Sequence, residues 1–444
     1  MQSKTFEFGS ITQSDTTFTF EYKISGGETF TFRETLEFDD AFDTSSIPAT
    51  LLQTTLETLQ LVLGINYWKL YCPETIKLQT IKLNQAQAEY WNTIYTKGLG
   101  EFYYRNNIDY RKLVQFPHLE DVKTQAVAYP RESRALVGIG GGKDSIVVGE
   151  LLKKAEKPFD AFVVETQKHH HTIDEVIEVM HVGTVRVKRT LDPLLFELNH
   201  RDDTYNGHVP VSAMYAAIGV LTAILYDYSY FIVGNERSAN YGNVNYLGTE
   251  VNHQWSKSLE FETMFQEYVR TYITPDITYF SLLRPLSELK ITQLFAQYPQ
   301  YFQVFTSCNK HYVLQDDNPV MWCGHCPKCA FVFAMLAAFL SKDELISLFG
   351  KNLFADDELL PMYQELLGIE GFKPFECVGT PDEVKAAFYL TYQKGEYNSD
   401  VIMRYFMNTI STTLENPDQL VADALALTPV ETIPESMLAV VEKV

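Results

Sequence analysis

The sequence lacks any long hydrophobic run, since no apolar stretch reaches the roughly 18 residues that a membrane span needs. The first residues contain no apolar core of the kind that a secretion signal has. Positive charge is scarce, with 36 Lys and Arg against 57 Asp and Glu and a net charge of −21. A nucleic-acid-binding protein would need a basic face, although a local site can still hold a small anion. We expect a cytoplasmic protein that binds neither membrane nor nucleic acid.

Cysteine is also scarce, and its distribution does not look like an extracellular disulfide framework. Only six cysteines occur in 444 residues, and four of them lie in one segment. Fourteen residues separate Cys308 from Cys323, and two-residue gaps lead on to Cys326 and Cys329. Four thiolates at this spacing can enclose one Zn²⁺ in a closed, structural site.

Other interpretations of the cysteines stay open from the sequence. An iron–sulfur cluster uses the same two-residue spacing, His325 could replace one thiol, and the four thiols could lie in a core without metal. Cys72 and Cys377 stand alone and are predicted to be core residues.

Aromatic residues are plentiful, with 29 Phe and 27 Tyr, so the chain can build full cores over two or three domains. We predict three parts. Residues 1–128 form an α+β domain suited to substrate binding, residues 129–300 form a nucleotide-binding domain, and residues 301–444 form a cysteine loop with a helical region. The sequence does not indicate an oligomeric state.

Periodicity predicts the elements within these parts. Apolar residues alternate over 18–24, and a Ser-Gly-Gly-Glu turn at 25–28 indicates a β-hairpin. Helical patterns cover 49–63 and 84–104. Strands are predicted at 136–140, 161–165, 184–187 and 230–234, with helical stretches between them. This alternation is typical of an α/β fold with a doubly wound parallel sheet, whose ligands lie at the carboxyl ends of the strands.

One of those carboxyl ends carries the sequence Gly140-Gly141-Gly142-Lys143-Asp144-Ser145. A strand, a glycine turn and a helix start place free backbone N–H groups around one point, which favours an anion. The spacing fits neither the Walker A loop nor the dinucleotide fingerprint. The motif resembles the PP-loop of enzymes that split ATP into AMP and pyrophosphate, with Gly140 in place of the first serine. A plain glycine turn without a ligand is the alternative.

Polar clusters near other strand ends supply further candidates. Gly234, Asn235 and Glu236 follow the strand at 230–234 and favour a site over a core. His208 precedes an apolar helix and is either a base or a residue beside the helix cap.

Basic residues suited to phosphate or carboxylate are Arg284 and Lys290, although the proline between them is also an ordinary helix start. The run His169-His170-His171 is expected to be solvated, because consecutive residues cannot all face one ligand.

The PP-loop together with a four-cysteine loop resembles the 7-cyano-7-deazaguanine synthases, which are about half this length. The whole chain is more similar to the family of UDP-N-acetylmuramoyl-L-alanyl-L-glutamate epimerases, over about residues 15–340. The resemblance rests on these segments: NYWK at 66–69, GLGEF at 98–102, YRN at 104–106, IGGGKDS at 139–145, GNE at 234–236, LRPL at 283–286 and WCGHC at 322–326.

That resemblance implies an ATP-dependent enzyme of cell-wall precursor synthesis that uses Mg²⁺. ATP and Mg²⁺ are expected at Gly140, Gly141, Gly142, Lys143, Asp144, Ser145, Gly234 and Asn235. Lys143, Arg284 and Lys290 would offset negative charge, and Asp144 would lie beside the metal. His208, Glu236 and Lys290 are candidates for the base that removes the glutamate α-proton. The alternatives are another PP-loop ATP pyrophosphatase that forms an amide, a nitrile or a thiolated product, and a non-catalytic nucleotide sensor.

Overall fold

The computed structural model describes residues 4–312 and 320–442. Its strands are β1 Thr5–Gln13, β2 Thr17–Ser25, β3 Phe30–Phe38, β4 Thr75–Leu78, β5 Ala135–Gly138, β6 Phe159–Thr166, β7 Thr184–Thr190, β8 Tyr230–Val233, β9 Val244–Tyr246, β10 Thr249–Val251 and β11 Thr278–Ser281. Within the described ranges, no helix combines the length and apolarity that crossing a membrane requires.

The helices occupy the connections and most of the last third of the chain. They are α1 Ala49–Leu63, α2 Ile65–Trp68, α3 Gln85–Gly98, α4 Gly100–Arg105, α5 Lys143–Lys154, α6 His171–Met180, α7 Pro193–Leu198, α8 Val211–Tyr226, α9 Leu259–Tyr268, α10 Glu288–Phe295, α11 Pro327–Ala337, α12 Lys342–Phe349, α13 Leu360–Leu366, α14 Pro381–Lys394, α15 Val401–Thr409, α16 Pro417–Leu425 and α17 Glu435–Val441.

Nine of the described strands form one sheet in the order β11-β8-β5-β6-β7-β3-β2-β1-β4. The five strands from β11 to β7 run parallel to one another, whereas β7, β3, β2 and β1 pair antiparallel in turn. The predicted α/β class with a parallel sheet is confirmed. The assignment to PP-loop proteins stays a prediction.

Helices cover both faces of the parallel strands. Ala135 and Val137 of β5 point into one core with α5, α6 and α10, while Leu136 points into the other with α1 and α8. Near-continuous apolar strands of this kind are typical of a parallel sheet that is buried on both sides.

The N-terminal hairpin is confirmed, but it does not form a sheet of its own. Strand β3 pairs with β7 through Phe38 opposite Val187. Across this seam, Arg189 Nε donates to Glu34 Oε1 at 2.6 Å, and both side chains are buried. The hairpin therefore extends the parallel sheet.

The sequence also predicted one helix over 84–104, where the structure has α3 and α4 with a break at Leu99. Gly98 ends α3, and a Cβ there would lie 2.8 Å from Pro210 Cγ. The glycine therefore allows α3 to approach Pro210, which precedes α8.

Candidate active site

The glycine turn between β5 and α5 adopts a conformation that requires glycine. Gly141 has φ of +79°, and a Cβ there would lie 2.8 Å from the Tyr312 hydroxyl. That hydroxyl donates to the carbonyl of Gly140 at 3.0 Å, and Thr306 N–H donates to the carbonyl of Gly141 at 3.1 Å. These bonds hold the outer side of the turn in place.

Gly142 caps α5, so the first N–H groups of this helix lack carbonyl partners within it. Ser145 Oγ donates to the carbonyl of Gly142 at 3.0 Å. Asp144 lies in the first helical turn with its side chain about one-third exposed. The turn thus presents backbone donors, one hydroxyl and one carboxylate at the start of a helix.

This turn opens into a cavity of about 550 Å³ at the carboxyl ends of β5, β6 and β8. Gly140, Gly142, Asp144, Ser145, Gly234 and Asn235, all predicted to bind cofactor, line it. Its other walls include Phe162, Val164, His170, Tyr215, Phe231, Lys257, Tyr279, Ser307, Asn309, Tyr312, Lys328 and Cys377. The structure therefore brings the two predicted glycine segments to one cavity.

Gly234 allows the close approach of these two segments. A Cβ at Gly234 would lie 3.1 Å from the backbone carbon of Asp144. The next residue, Asn235, lines the cavity and donates to the Tyr279 hydroxyl at 3.5 Å. Glu236 is buried, accepts from Gln254 Nε2 at 2.7 Å and is not among the lining residues.

Lys143 is buried behind the turn instead of facing the cavity. Its ammonium contacts the carboxylates of Asp144 and Glu288. Burial opposes the charge on Lys143, but these two carboxylates raise its pKa. Burial raises the pKa of Glu288 to about 8, against the opposing charge of Lys143. In this arrangement Lys143 orients Asp144.

Arg284 is also buried and pairs with protein groups. Its Nη2 lies 2.7 Å from Glu262 Oε2, and Nη1 donates to the Glu236 carbonyl at 2.8 Å. Nη2 also donates to the carbonyl of Lys257 at 2.6 Å. Arg284 therefore holds the backbone of two residues beside the cavity.

Two other predicted residues do not line the cavity. Lys290 Nζ donates to Gln293 Oε1 at 3.1 Å. His208 lies 3.7 Å from Glu101 Oε2, with its ring 4.4 Å from that of His253. Burial and the charge of His253 lower the pKa of His208 to about 4. His208 is therefore neutral near pH 7.

Two lysines and a thiol in the cavity wall were not found from the sequence. Lys257 and Lys328 are the cations that line the cavity in the described part of the chain. Cys377 was expected in the core but lines the same cavity, whereas Cys72 is buried as predicted. In the sequence, none of the three lies next to a glycine turn or a strand end that would mark it.

The four clustered cysteines come together as their spacing predicted. The Cys308–Cys326, Cys323–Cys329 and Cys326–Cys329 Sγ distances are 4.0, 3.7 and 3.5 Å. A tetrahedral ion with metal–sulfur bonds of about 2.3 Å has sulfurs about 3.8 Å apart. The group could therefore hold one metal ion such as zinc. His325 is exposed and outside the group.

A cavity at the carboxyl edge of a parallel sheet, with a helix start in its wall, is typical of the α/β proteins that bind small ligands. Residues 1–282 match the MurL N-terminal domain, and residues 304–420 match the MurL C-terminal domain. The chain belongs to the MurL family and is an enzyme of the epimerase class.

Curated relatives agree with this assignment over most of their length. A protein of Xanthomonas oryzae pv. oryzae is 37% identical over 88% of this chain and 86% of the relative. A protein of Micromonospora sp. is 36% identical over 93% of this chain and 92% of the relative. Both carry the name UDP-N-acetyl-alpha-D-muramoyl-L-alanyl-L-glutamate epimerase.

Proposed function

We propose that this chain uses ATP to invert the terminal L-glutamate of UDP-N-acetylmuramoyl-L-alanyl-L-glutamate, for peptidoglycan precursor synthesis. The products are the D-glutamate form of the dipeptide, AMP and pyrophosphate. The relatives' names support the substrate. The observation that carries the use of ATP is the glycine turn, which opens with Asp144 and Ser145 into the cavity.

Activation of the carboxylate by ATP would make the α-proton of the glutamyl residue more acidic. The α-proton of a free glutamate is barely acidic, because its removal beside a carboxylate places negative charge next to negative charge. If the carboxylate attacks the α-phosphate, pyrophosphate leaves and an acyl-adenylate forms. The neutral acyl group can then accept the electron pair of the C–H bond as an enolate. After reprotonation on the other face, water releases AMP.

The cavity offers groups for each part of the nucleotide. The N–H groups at the start of α5 suit the phosphates, and Phe162, Val164 and Phe231 form an apolar wall suited to a flat base. Lys257 and Lys328 can offset the charge that develops at the reacting phosphate. Asp144 would hold Mg²⁺, which would neutralise phosphate charge.

At about 550 Å³ the cavity is within the usual range for small-molecule sites. We infer that it holds the nucleotide and the reacting carboxylate, while the UDP-sugar lies outside. We propose that the N-terminal domain, residues 1–128, binds the UDP-sugar. Such remote binding would position the reacting end.

Heavy water tests the mechanism directly. With ATP, Mg²⁺ and the UDP-muramoyl dipeptide in heavy water, we expect deuterium at the glutamate α-carbon of the product, in step with AMP and pyrophosphate. Free L-glutamate is the matched control and should react poorly, because it lacks the remote binding. Inversion without ATP would contradict the adenylation step. Pyrophosphate release without deuterium would indicate an amide- or nitrile-forming enzyme.

We also propose that the four cysteines bind a structural zinc. In an iron–sulfur cluster the four thiolates are divided among two or four irons, which separates some of their sulfurs further than one shared ion does. Elemental analysis is expected to find one zinc per chain, and Cys329→Ser should lose it with much of the stability. The matched control is Cys72→Ser, which removes a buried thiol outside the group. Iron with visible absorbance would overturn the zinc assignment.

A further inference from the structure

Cys377 lies in the cavity that receives the glycine turn. It belongs to the loop between α13 and α14, and it shares the cavity with Asp144, Lys257 and Lys328. Asn243 Nδ2 anchors this loop by donating to the carbonyls of Lys373 and Pro374 at 3.1 and 2.8 Å. The C-terminal region thus supplies a thiol to the site.

The surroundings of Cys377 are those of a thiolate. Lys257 Nζ lies 3.4 Å from its Sγ, and the positive charges of Lys328 and His253 also act on the thiol. His253 Nδ1 also contacts the Glu101 carboxylate, which Arg105 holds from its other side at 2.5 Å. Glu101 therefore orients the His253 imidazole.

These charges set the protonation of both partners. Burial alone would raise the pKa of the Cys377 thiol, but Lys257, Lys328 and His253 lower it to about 6. Burial opposes protonation of His253, but the negative charges of Cys377 and Glu101 raise its pKa to about 9. At neutral pH the pair is therefore a thiolate beside an imidazolium. Burial lowers the pKa of the nearby Lys373, and the charge of Cys377 acts against this lowering.

Lys257 connects this thiolate to the glycine turn. Its ammonium is held among the charges of Cys377, Glu236 and Asp144, which raise its pKa. Arg284 fixes the Lys257 backbone carbonyl. A carboxylate activated at the turn would therefore lie beside the same cation that contacts the Cys377 sulfur.

We propose that Cys377 is the catalytic residue that takes the α-proton of the activated glutamyl residue, with His253 as its positioning residue. This inference rests on the proposed function, because it needs the acyl-adenylate as the acidified substrate. The sulfur accepts the proton, and the electron pair of the C–H bond moves into the acyl group as an enolate. A proton from water adds to the opposite face, and the hydroxide so formed takes the proton from the thiol.

The three residues that the sequence suggested as the base are less suitable than Cys377 for removing the α-proton. Glu236 is hydrogen-bonded to Gln254, and Lys290 to Gln293, and neither lines the cavity. His208 lies beside Glu101 and the His253 ring and does not line the cavity. A thiolate with a pKa near the working pH is also an efficient general base.

The test separates proton transfer from adenylation. For Cys377→Ala and Cys377→Ser, we expect deuterium exchange at the α-carbon to fall by roughly a hundred-fold or more. Exchange of labelled pyrophosphate into ATP, dependent on the dipeptide, should remain within a few-fold of the wild type. Cys72→Ala is the matched control, because it removes a buried thiol outside the cavity, and both rates should be retained.

Each other outcome is also decisive. Retained α-exchange in Cys377→Ala would overturn the proposal, and so would loss of both exchange reactions together in a folded variant. If the wild type itself shows no pyrophosphate exchange, the proposed use of ATP fails instead.

The pH profile provides a second measurement that does not depend on removing the thiol. Replacing His253 by glutamine removes a positive charge that lowers the pKa of the Cys377 thiol, so this pKa should rise. We expect the acid limb of α-exchange, near pH 6 in the wild type, to move to higher pH. The pyrophosphate exchange profile should keep its position. An unmoved limb for α-exchange would contradict the positioning role.

Discussion

Asp144→Ala is expected to lower pyrophosphate release by about a hundred-fold or more, because it removes the carboxylate that the turn presents to the phosphates. The fold should survive the change. The Asp144 side chain is about one-third exposed, and Lys143 keeps its buried contact with Glu288. The measurement is substrate-dependent pyrophosphate release, with circular dichroism and denaturant unfolding on the same sample.

Asp343→Ala is the matched control for this variant. Asp343 also lies in the first turn of a helix, but it is exposed and outside the cavity. Both substitutions lose a helix-dipole interaction of about 0.3–1 kcal/mol, so both proteins should unfold at similar denaturant concentrations. Pyrophosphate release near the wild-type rate in Asp144→Ala would remove this carboxylate from the mechanism.

The parts of the molecule that local sequence determines were predictable. The glycine turn could be found because Gly140, Gly141 and Gly142 stand between an apolar strand and a helix. Parallel strands could be inferred from the alternation of strands and helices. Both signals lie within short windows of sequence, where backbone geometry and apolar periodicity act.

The pairing of distant segments was not predictable in the same way. The join between β3 and β7 depends on the fit of two strands far apart in the chain and on the buried pair of Arg189 with Glu34. Cys377 reaches the cavity from a loop between two helices. The residues next to it in the sequence form no motif that would predict a position in the cavity wall.

The sequence also did not show which basic residues are paired with buried carboxylates. Sequence shows that Lys143 and Arg284 lie near the turn or near a strand end, but not whether they are free. Their partners, Glu288 and Glu262, come from other elements and neutralise them within the core. Lys257 has no comparable motif, yet it is the cation beside the thiolate.

The buried ion pair between Arg284 and Glu262 is expected to contribute strongly to the stability of the fold. Arg284→Met should reduce the free energy of unfolding by about 3–5 kcal/mol, because it leaves the Glu262 carboxylate buried without its partner. The carbonyls of Glu236 and Lys257 also lose a donor. Denaturant unfolding of the metal-loaded protein measures the change.

Two companion variants separate pairing from ligand binding. The double variant Arg284→Met with Glu262→Gln should recover a large part of the loss, since no unpaired buried charge remains. Arg33→Met is the matched control, because Arg33 pairs with Glu21 on the surface and should cost less than about 1 kcal/mol. If Arg284→Met unfolds like the wild type but no longer binds ATP, Arg284 contacts the ligand and its role is not a structural one.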